Sequence, residues 1–303
     1  MSNISNLKIF ETNIYDRPME KRSYFRDYLS EDFDSKSYQE KKEVLREKSQ
    51  EFLENKVLMC EKYGFDGKKI ITPNDIGVGY ECGSYFIADE KLYQKSDDLS
   101  NLKKAGDIVL LKEDNPGIVI GYPVSDDPVV IMEDKKRGIS ALAHCDLEQI
   151  SKKIPIYMLK ALQKEANSDL ENIKVYISSN LKKENNRHIL KPKVVKNNPE
   201  LWKGFIKKHS SSHSKNLNEL IYDLLTYKID QESAIFNMLV KRGINPENIT
   251  ISEKDTYQNS DLFSSKNVKD LREKSLQGKF LVGAYYEGTF PEYEAEKGRT
   301  RSL

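Results

Sequence analysis

Residues 106–150 read GDIVLLKEDNPGIVIGYPVSDDPVVIMEDKKRGISALAHCDLEQI, and this stretch decides the fold. It holds four short apolar or β-branched runs: Asp107 to Leu111, Gly117 to Tyr122, Pro128 to Met132 and Gly138 to Ala143. Branched side chains suit a pleated, buried surface, so each run predicts a strand. Glu113-Asp114-Asn115-Pro116 and Glu133-Asp134-Lys135-Lys136 between them are turn material. Four strands within 37 residues predict hairpin-like, mostly antiparallel pairing.

Downstream, a helix is expected to restart at Pro155, since proline lacks an amide donor and suits a first helical turn. Ile173 to Ile177 then predicts a further strand, and Lys182 to Ser214, rich in Lys, Asn and Ser, a surface loop. Asn216 with Glu219 resembles a capping box. Asp230 caps a second expected helix whose apolar stripe is Ile235, Phe236, Leu239 and Val240, with Gly243 at its left-handed end. Ile249 to Ser252 and Phe280 to Tyr286 supply late strands. Upstream, Ser37 to Tyr63 predicts an amphipathic helix with Leu45, Phe52, Val57 and Cys60 on one face. Gly64 and Gly67 close it, and Lys69 to Glu90 predicts strands around a Gly-rich bend. The expected organisation is an N-terminal extension over 1–37, one α+β domain over 38–287, and a polar tail over 288–303. Its fold class is mixed, largely antiparallel β-sheets flanked by helices.

The chain has 303 residues, 38% hydrophobic and 32% charged. Forty-nine basic against 48 acidic side chains leave a net charge of +1, so no global field draws it to nucleic acid or an anionic membrane. Lysines between Lys182 and Lys208, with Trp202 and Phe205 among them, resemble a phosphate-and-stacking surface, but read better as a solvated face. Apolar runs fall far short of the roughly 20 residues that span a bilayer. The charged first thirty residues lack the apolar core of a Sec signal. Cys60, Cys82 and Cys145 fit no disulfide framework and read as free thiols of a reducing compartment. A cytoplasmic location is expected. The alternative is non-Sec secretion signalled by the acidic tail of Glu287, Glu292, Glu294 and Glu296.

Several polar residues stand where strands end. His144 closes an apolar run, Asp126-Asp127 precedes Pro128, and Asp107 opens the first run. Two adjacent carboxylates in a pocket raise one another's pKa and produce a general acid or base; alternatively they form only a turn. Asn74-Asp75 between Pro73 and Gly77 also reads as a turn.

The 106–150 stretch and the late segment INPENITISEKDTYQNSDLFSSKNVKDLREKSLQGKFLVGAYYE resemble the laccase-domain family, the multicopper polyphenol oxidases whose members look like zinc-dependent purine nucleoside phosphorylases. The similarity in element order runs from about Gln39 to Glu287. It implies a fold shared with cysteine deamidases of the cytotoxic necrotizing factor type. In the family, a His of Q-V-H-G, the Cys of A-D-C and the His of H-A-G-W-R-G hold one metal. Here those positions carry Asn74, Asp127 and His144. A neutral amide is a poor zinc ligand and a carboxylate a harder one, so the resemblance implies at most low-affinity zinc on His144 and Asp127, and no other cofactor. The arginine of G-W-R-G becomes Glu148, and the tandem arginines after F-F-S, where Phe263 stands, fall near Asn267 and Val268.

The resemblance thus implies catalysis by Asp127 and His144, with Asp107, Asn74, Asp126, Glu148 and Phe263 lining a substrate site. Cys145 is not expected to replace the missing deamidase nucleophile, because alternation turns it away from the face of His144. Three readings stand: a nucleoside-binding family member with lost or altered catalysis, an active phosphorylase or hydrolase on Asp127 and His144, and a non-enzymatic protein that binds other proteins. No membrane or nucleic-acid partner is expected.

Overall fold

The computed structural model describes residues 6–12, 35–37, 39–40, 43–44, 54, 57–58, 60–62, 64–65, 69–73, 82–97, 107–189, 193–208, 226–259, 262, 264 and 280–287. The four runs of the 106–150 stretch form β4 (Ile108–Lys112), β5 (Ile118–Val124), β6 (Val129–Asp134) and β7 (Ile139–His144). Only β6 and β7 make the expected hairpin, turned at Gly138, whose φ of 60° a side chain adopts at a cost. Strand β4 pairs with β7 in the same sheet, while β5 leaves for a second sheet. All seven residues of β5 are buried, and it pairs there with β13 and β2 instead of with its sequence neighbours β4 and β6.

Among the described residues the larger sheet has six strands in the order β12 (Ile249–Ile251), β8 (Ile173–Ile177), β6, β7, β4, β3 (Tyr85–Ile87), and helix α1 (Glu90–Asp97) follows β3 in the chain. The second is β1 (Leu7–Glu11), β13 (Phe280–Tyr286), β5, β2 (Lys69–Ile71). A third, small sheet runs β10 (Ile206–Lys208), β11 (Thr226–Ile229), β9 (Arg187–Ile189). Pairings β2–β5, β3–β4 and β8–β12 are parallel and the others antiparallel, a mixed, largely antiparallel α+β architecture.

Strand alternation builds the layers. Ile108, Leu110, Val130, Met132, Ala141 and Ala143 face a helical layer that includes α3 (Ile154–Ala166) and α6 (Gln231–Val240). Val109, Leu111, Val129, Ile131 and Leu142 face Ile118, Ile120, Tyr122, Phe280, Val282 and Ala284 of the second sheet. Each of the Val, Leu, Ile, Met and Phe side chains, fully buried, contributes about 1.5–3 kcal/mol relative to exposure. The outer face of the second sheet carries Ile70, Val119 and Leu281, covered by Cys60 and Phe65.

Pro155 lies in the first turn of α3, after a separate short helix α2 (Leu147–Ser151), as expected. Asp230 caps α6 through the Ser233 amide at 3.0 Å. Of the stripe expected on residues 37–63, Cys60 is buried but Val57 is 49% exposed; Leu45 and Phe52 lie outside the described residues. The first 37 residues contain β1, whose register pairs Leu7 with Tyr286, so the second sheet already begins there. The expected loop over 182–214 holds β9, β10, α4 (Lys193–Lys196) and α5 (Pro199–Trp202). Trp202 is 2% exposed with Nε1 donating to Ser151 Oγ at 3.0 Å, so its ring seats these helices and is not a stacking surface. Asn74, Asn216, Glu219, Phe263, Asn267, Val268 and the tail from 288 lie outside the described residues. Among the described residues no helix is long and apolar enough to cross a membrane.

Candidate functional site

Strand directions bring polar residues to one edge of the six-stranded sheet. Strands β3, β4 and β6 start there, while β7, β8 and β12 end there. The β6–β7 register sets Val129 opposite His144, and the β4–β7 register, extended by two residues, sets Asp107 beside His144 on the other flank. Asp126 and Asp127 lie one residue, Pro128, ahead of β6; Ser178, Ser179 and Asn180 follow β8, and Ser252 follows β12.

His144 Nε2 lies 3.9 Å from Asp127 Oδ2, with 31% and 38% of the two side chains exposed. That exceeds a direct hydrogen bond, so a small rotation or one water closes the pair. The opposite oxygen, Oδ1, accepts from Gln231 Nε2 at 3.0 Å. Loss of water around the carboxyl raises the Asp127 pKa above the ordinary carboxylate value, against the pull of the imidazole and the Gln231 hydrogen bond. A carboxylate and an imidazole held together at an open edge can take a proton from water and return one to a leaving group.

Asp126 does not join the pair. It is 8% exposed and accepts from Thr256 Oγ1 at 3.2 Å and Ser264 Oγ at 2.6 Å, tying the segment after β12 to the start of β6. The two carboxylates are separated by their partners: Asp126 turns to Thr256 and Ser264, Asp127 to Gln231. Asp107 accepts from the Gly83 amide at 3.2 Å, and its pKa is raised by burial, with Lys152 opposing and Asp146 and Glu148 assisting. Gly83 has φ of 81°, and an added Cβ would meet the Tyr157 ring at 2.3 Å. Glu148 points outward and binds Lys152 at 2.6 Å, while Asp146 Oδ1 caps α2 through the amides of Glu148 and Gln149. Such a cap is worth about 1 kcal/mol. Asn74 and Phe263 lie outside the described residues.

Cys145 is fully buried in the helical-side core, its thiol donating to Ala143 O at 3.8 Å. Burial and the nearby carboxylates push its pKa well above the ordinary thiol value, which removes the thiolate a nucleophile needs. Among the described residues no three His, Cys, Asp or Glu side chains converge as metal ligands. His144 and Asp127 alone supply one donor fewer than the three protein ligands of a catalytic zinc site, and neither is a thiolate.

Sequence reasoning missed Gln231, first residue of α6, and the buried Asn186 that donates to it. It also missed Glu11 at the end of β1. Its Oε1 accepts from Tyr176 Oη and the Ser179 amide, each at 2.8 Å, and its Oε2 accepts from Ser179 Oγ at 2.5 Å. No local motif marks any of these; each is defined by a partner distant in sequence.

A model of the family described as multi-copper polyphenol oxidoreductase laccase matches residues 89–281. No curated protein matches the chain. Among solved structures, YlmD from Geobacillus stearothermophilus is similar with a TM-score of 0.59 and 14% identity over 79% of this chain and 82% of that one. The hypothetical protein YfiH of Bacillus licheniformis gives 0.56 and 14% over the same shares. Neisseria meningitidis protein NMB0706 gives 0.51 and 12% over 77% and 80%. At these identities the likeness is one of fold.

Proposed function

The chain belongs to the multi-copper polyphenol oxidoreductase laccase family, and from that premise we propose that its polar sheet edge binds a purine nucleoside and has altered catalysis, hydrolytic instead of phosphorolytic. The observation that carries the reading is the approach of His144 Nε2 to Asp127 Oδ2, 3.9 Å, with the carboxylate braced by Gln231. Asp127 takes a proton from water, whose oxygen bonds to the ribose C1′ as the bond from C1′ to the base breaks. His144, protonated, gives its proton to the departing base. Water is the only co-reactant.

Charge disfavours phosphate. Lys152 is bound to Glu148, Lys182 to Glu232 and Lys183 to Asp230, so these cations are already occupied by carboxylates. A phosphorolytic site needs donors preorganised for the transferred group. Copper would find only the borderline imidazole of His144 and the hard carboxylate of Asp127 at this edge among the described residues, a donor set that suits it poorly. Zinc, if bound, sits weakly on His144 and Asp127.

The test is release of free base from adenosine or inosine in phosphate-free buffer. Release that phosphate does not accelerate, and that Asp127→Asn and His144→Ala abolish with folding intact, supports the reading. Absence of release, or release that requires phosphate, overturns it.

A further inference from the structure

We propose that Gln231, Asn186 and His188 form a positioning relay that holds the Asp127 carboxylate facing His144, an inference that rests on the hydrolytic reading above. The chain of contacts is continuous. His188 Nε2 lies 2.9 Å from Asn186 Oδ1, Asn186 Nδ2 donates to Gln231 Oε1 at 3.0 Å, and Gln231 Nε2 donates to Asp127 Oδ1 at 3.0 Å.

Donor and acceptor chemistry fixes its direction. An ionised carboxylate only accepts, so the Gln231 amide must turn its NH2 to Asp127. Its oxygen then faces Asn186 and needs a donor, which turns the Asn186 NH2 toward it. The Asn186 oxygen therefore faces His188, whose Nε2 must carry the hydrogen. Every hydrogen bond points toward Asp127, and each polarises the next. Reversing any one amide sets two acceptors or two donors against each other.

The relay is also anchored. Gln231 and Asn186 are each 3% exposed, so neither amide has bulk water as an alternative partner. The Asn186 N–H donates to Lys182 O at 2.9 Å and its carbonyl accepts from the Ile229 amide at 3.1 Å, fixing it to the end of β11. Gln231 is the first residue of α6, held by the Asp230 cap. The small sheet thereby reaches the edge of the large one through side chains whose only described target there is Oδ1 of Asp127, leaving Oδ2 for the imidazole. Gln231, Asn186 and His188 are positioning residues, acting on substrate through Asp127.

The isosteric change Gln231→Glu separates this role from packing. It keeps the shape and the acceptor for Asn186 but sets a carboxylate oxygen against Asp127 Oδ1. With adenosine as probe, kcat is expected to fall about 10–100-fold while KM stays within about 3-fold, as a small misplacement of a reacting group predicts. His188→Ala alters a half-buried side chain that folding tolerates, and a fall in kcat of roughly 3–10-fold is expected from the same loss of aim. Unchanged kcat in both folded variants overturns the relay and leaves the hydrolytic reading standing. If the wild-type chain has no turnover, the hydrolytic reading fails, and the relay is judged by side-chain amide NMR of the full chain. Displacement of the Gln231 NH2 resonances by both Asp127→Asn and Asn186→Ala supports it; resonances that neither substitution moves overturn it.

Discussion

Replacing Glu11 should test how the two large sheets are joined at the site edge. Its side chain is 7% exposed and takes three donors: the Tyr176 hydroxyl, the Ser179 amide and the Ser179 hydroxyl. Glu11→Ala leaves the Tyr176 hydroxyl and the Ser179 amide facing a space that had been a carboxylate, while the Ser179 hydroxyl can turn to Ser252 Oγ. A buried donor without a partner costs about 1–3 kcal/mol, and water entering the vacated space recovers part of that. The net loss is therefore about 2–4 kcal/mol, a large share of the 5–15 kcal/mol that holds a typical domain. Glu11→Gln keeps Oε1 for Tyr176 and the Ser179 amide. Its NH2 donates to Ser179 Oγ, and that hydroxyl can turn to Ser252 Oγ, 2.9 Å away. The charge assistance and the ion pair with exposed Lys254, 3.9 Å away, are lost, so the cost should be about 1 kcal/mol. Urea unfolding of the three proteins, followed by tryptophan fluorescence and far-UV dichroism, measures both values. An alanine variant within about 1 kcal/mol of wild type, or a glutamine variant as unstable as the alanine one, refutes the reading that Glu11 joins the two sheets.

Asp127 has a folded-state pKa raised above its unfolded one, so the folded state binds more protons and stability falls as pH rises through that interval; Asp127→Asn should accordingly raise the melting temperature at pH 7 and have no such effect at pH 3, as calorimetry at both pH values would show. Trp202→Phe should lower stability by about 1–2 kcal/mol through loss of the hydrogen bond to Ser151, and Trp202→Ala by about 3–5 kcal/mol, both read from thermal melts. Under native conditions a maleimide should modify exposed Cys82 and spare buried Cys145 and Cys60, with mass spectrometry of proteolytic peptides locating the adduct; fast labelling of Cys145 would contradict its place in the core.

The strands of residues 107–143 were legible because each is short, apolar and bounded by turn residues. Their distribution between two sheets was not, since a strand buried on both faces looks the same whichever sheet takes it. Asp127 and His144 were legible as strand-end residues brought together by resemblance. Asp126 stood in the sequence between two readings, half of an acidic pair or part of a turn, because adjacency says nothing of side; its carboxylate turns to Thr256 and Ser264. Strand β1 escaped notice because LKIFE is a short edge strand with two exposed residues and two of middling burial after them. Gln231 and Asn186 carry no sequence signal: a buried amide is recognisable only once the groups at its two ends are known.

The pairing of β1 with β13 also sets an order of assembly. Thr12 and Leu281, which share a hydrogen bond, are 269 residues apart. During synthesis the large sheet can close through the β6–β7 hairpin long before Phe280, Val282, Ala284 and Tyr286 arrive to cover its second face. At roughly 5–20 residues per second, that face waits on the order of ten to thirty seconds after β7 is made. Loop closure over so long a separation is slow, and the apolar underside of β4, β6 and β7 is the surface at risk meanwhile. A chain stopped before residue 280 would lack β13, leave part of that face uncovered, and be exposed to chaperone capture and self-association.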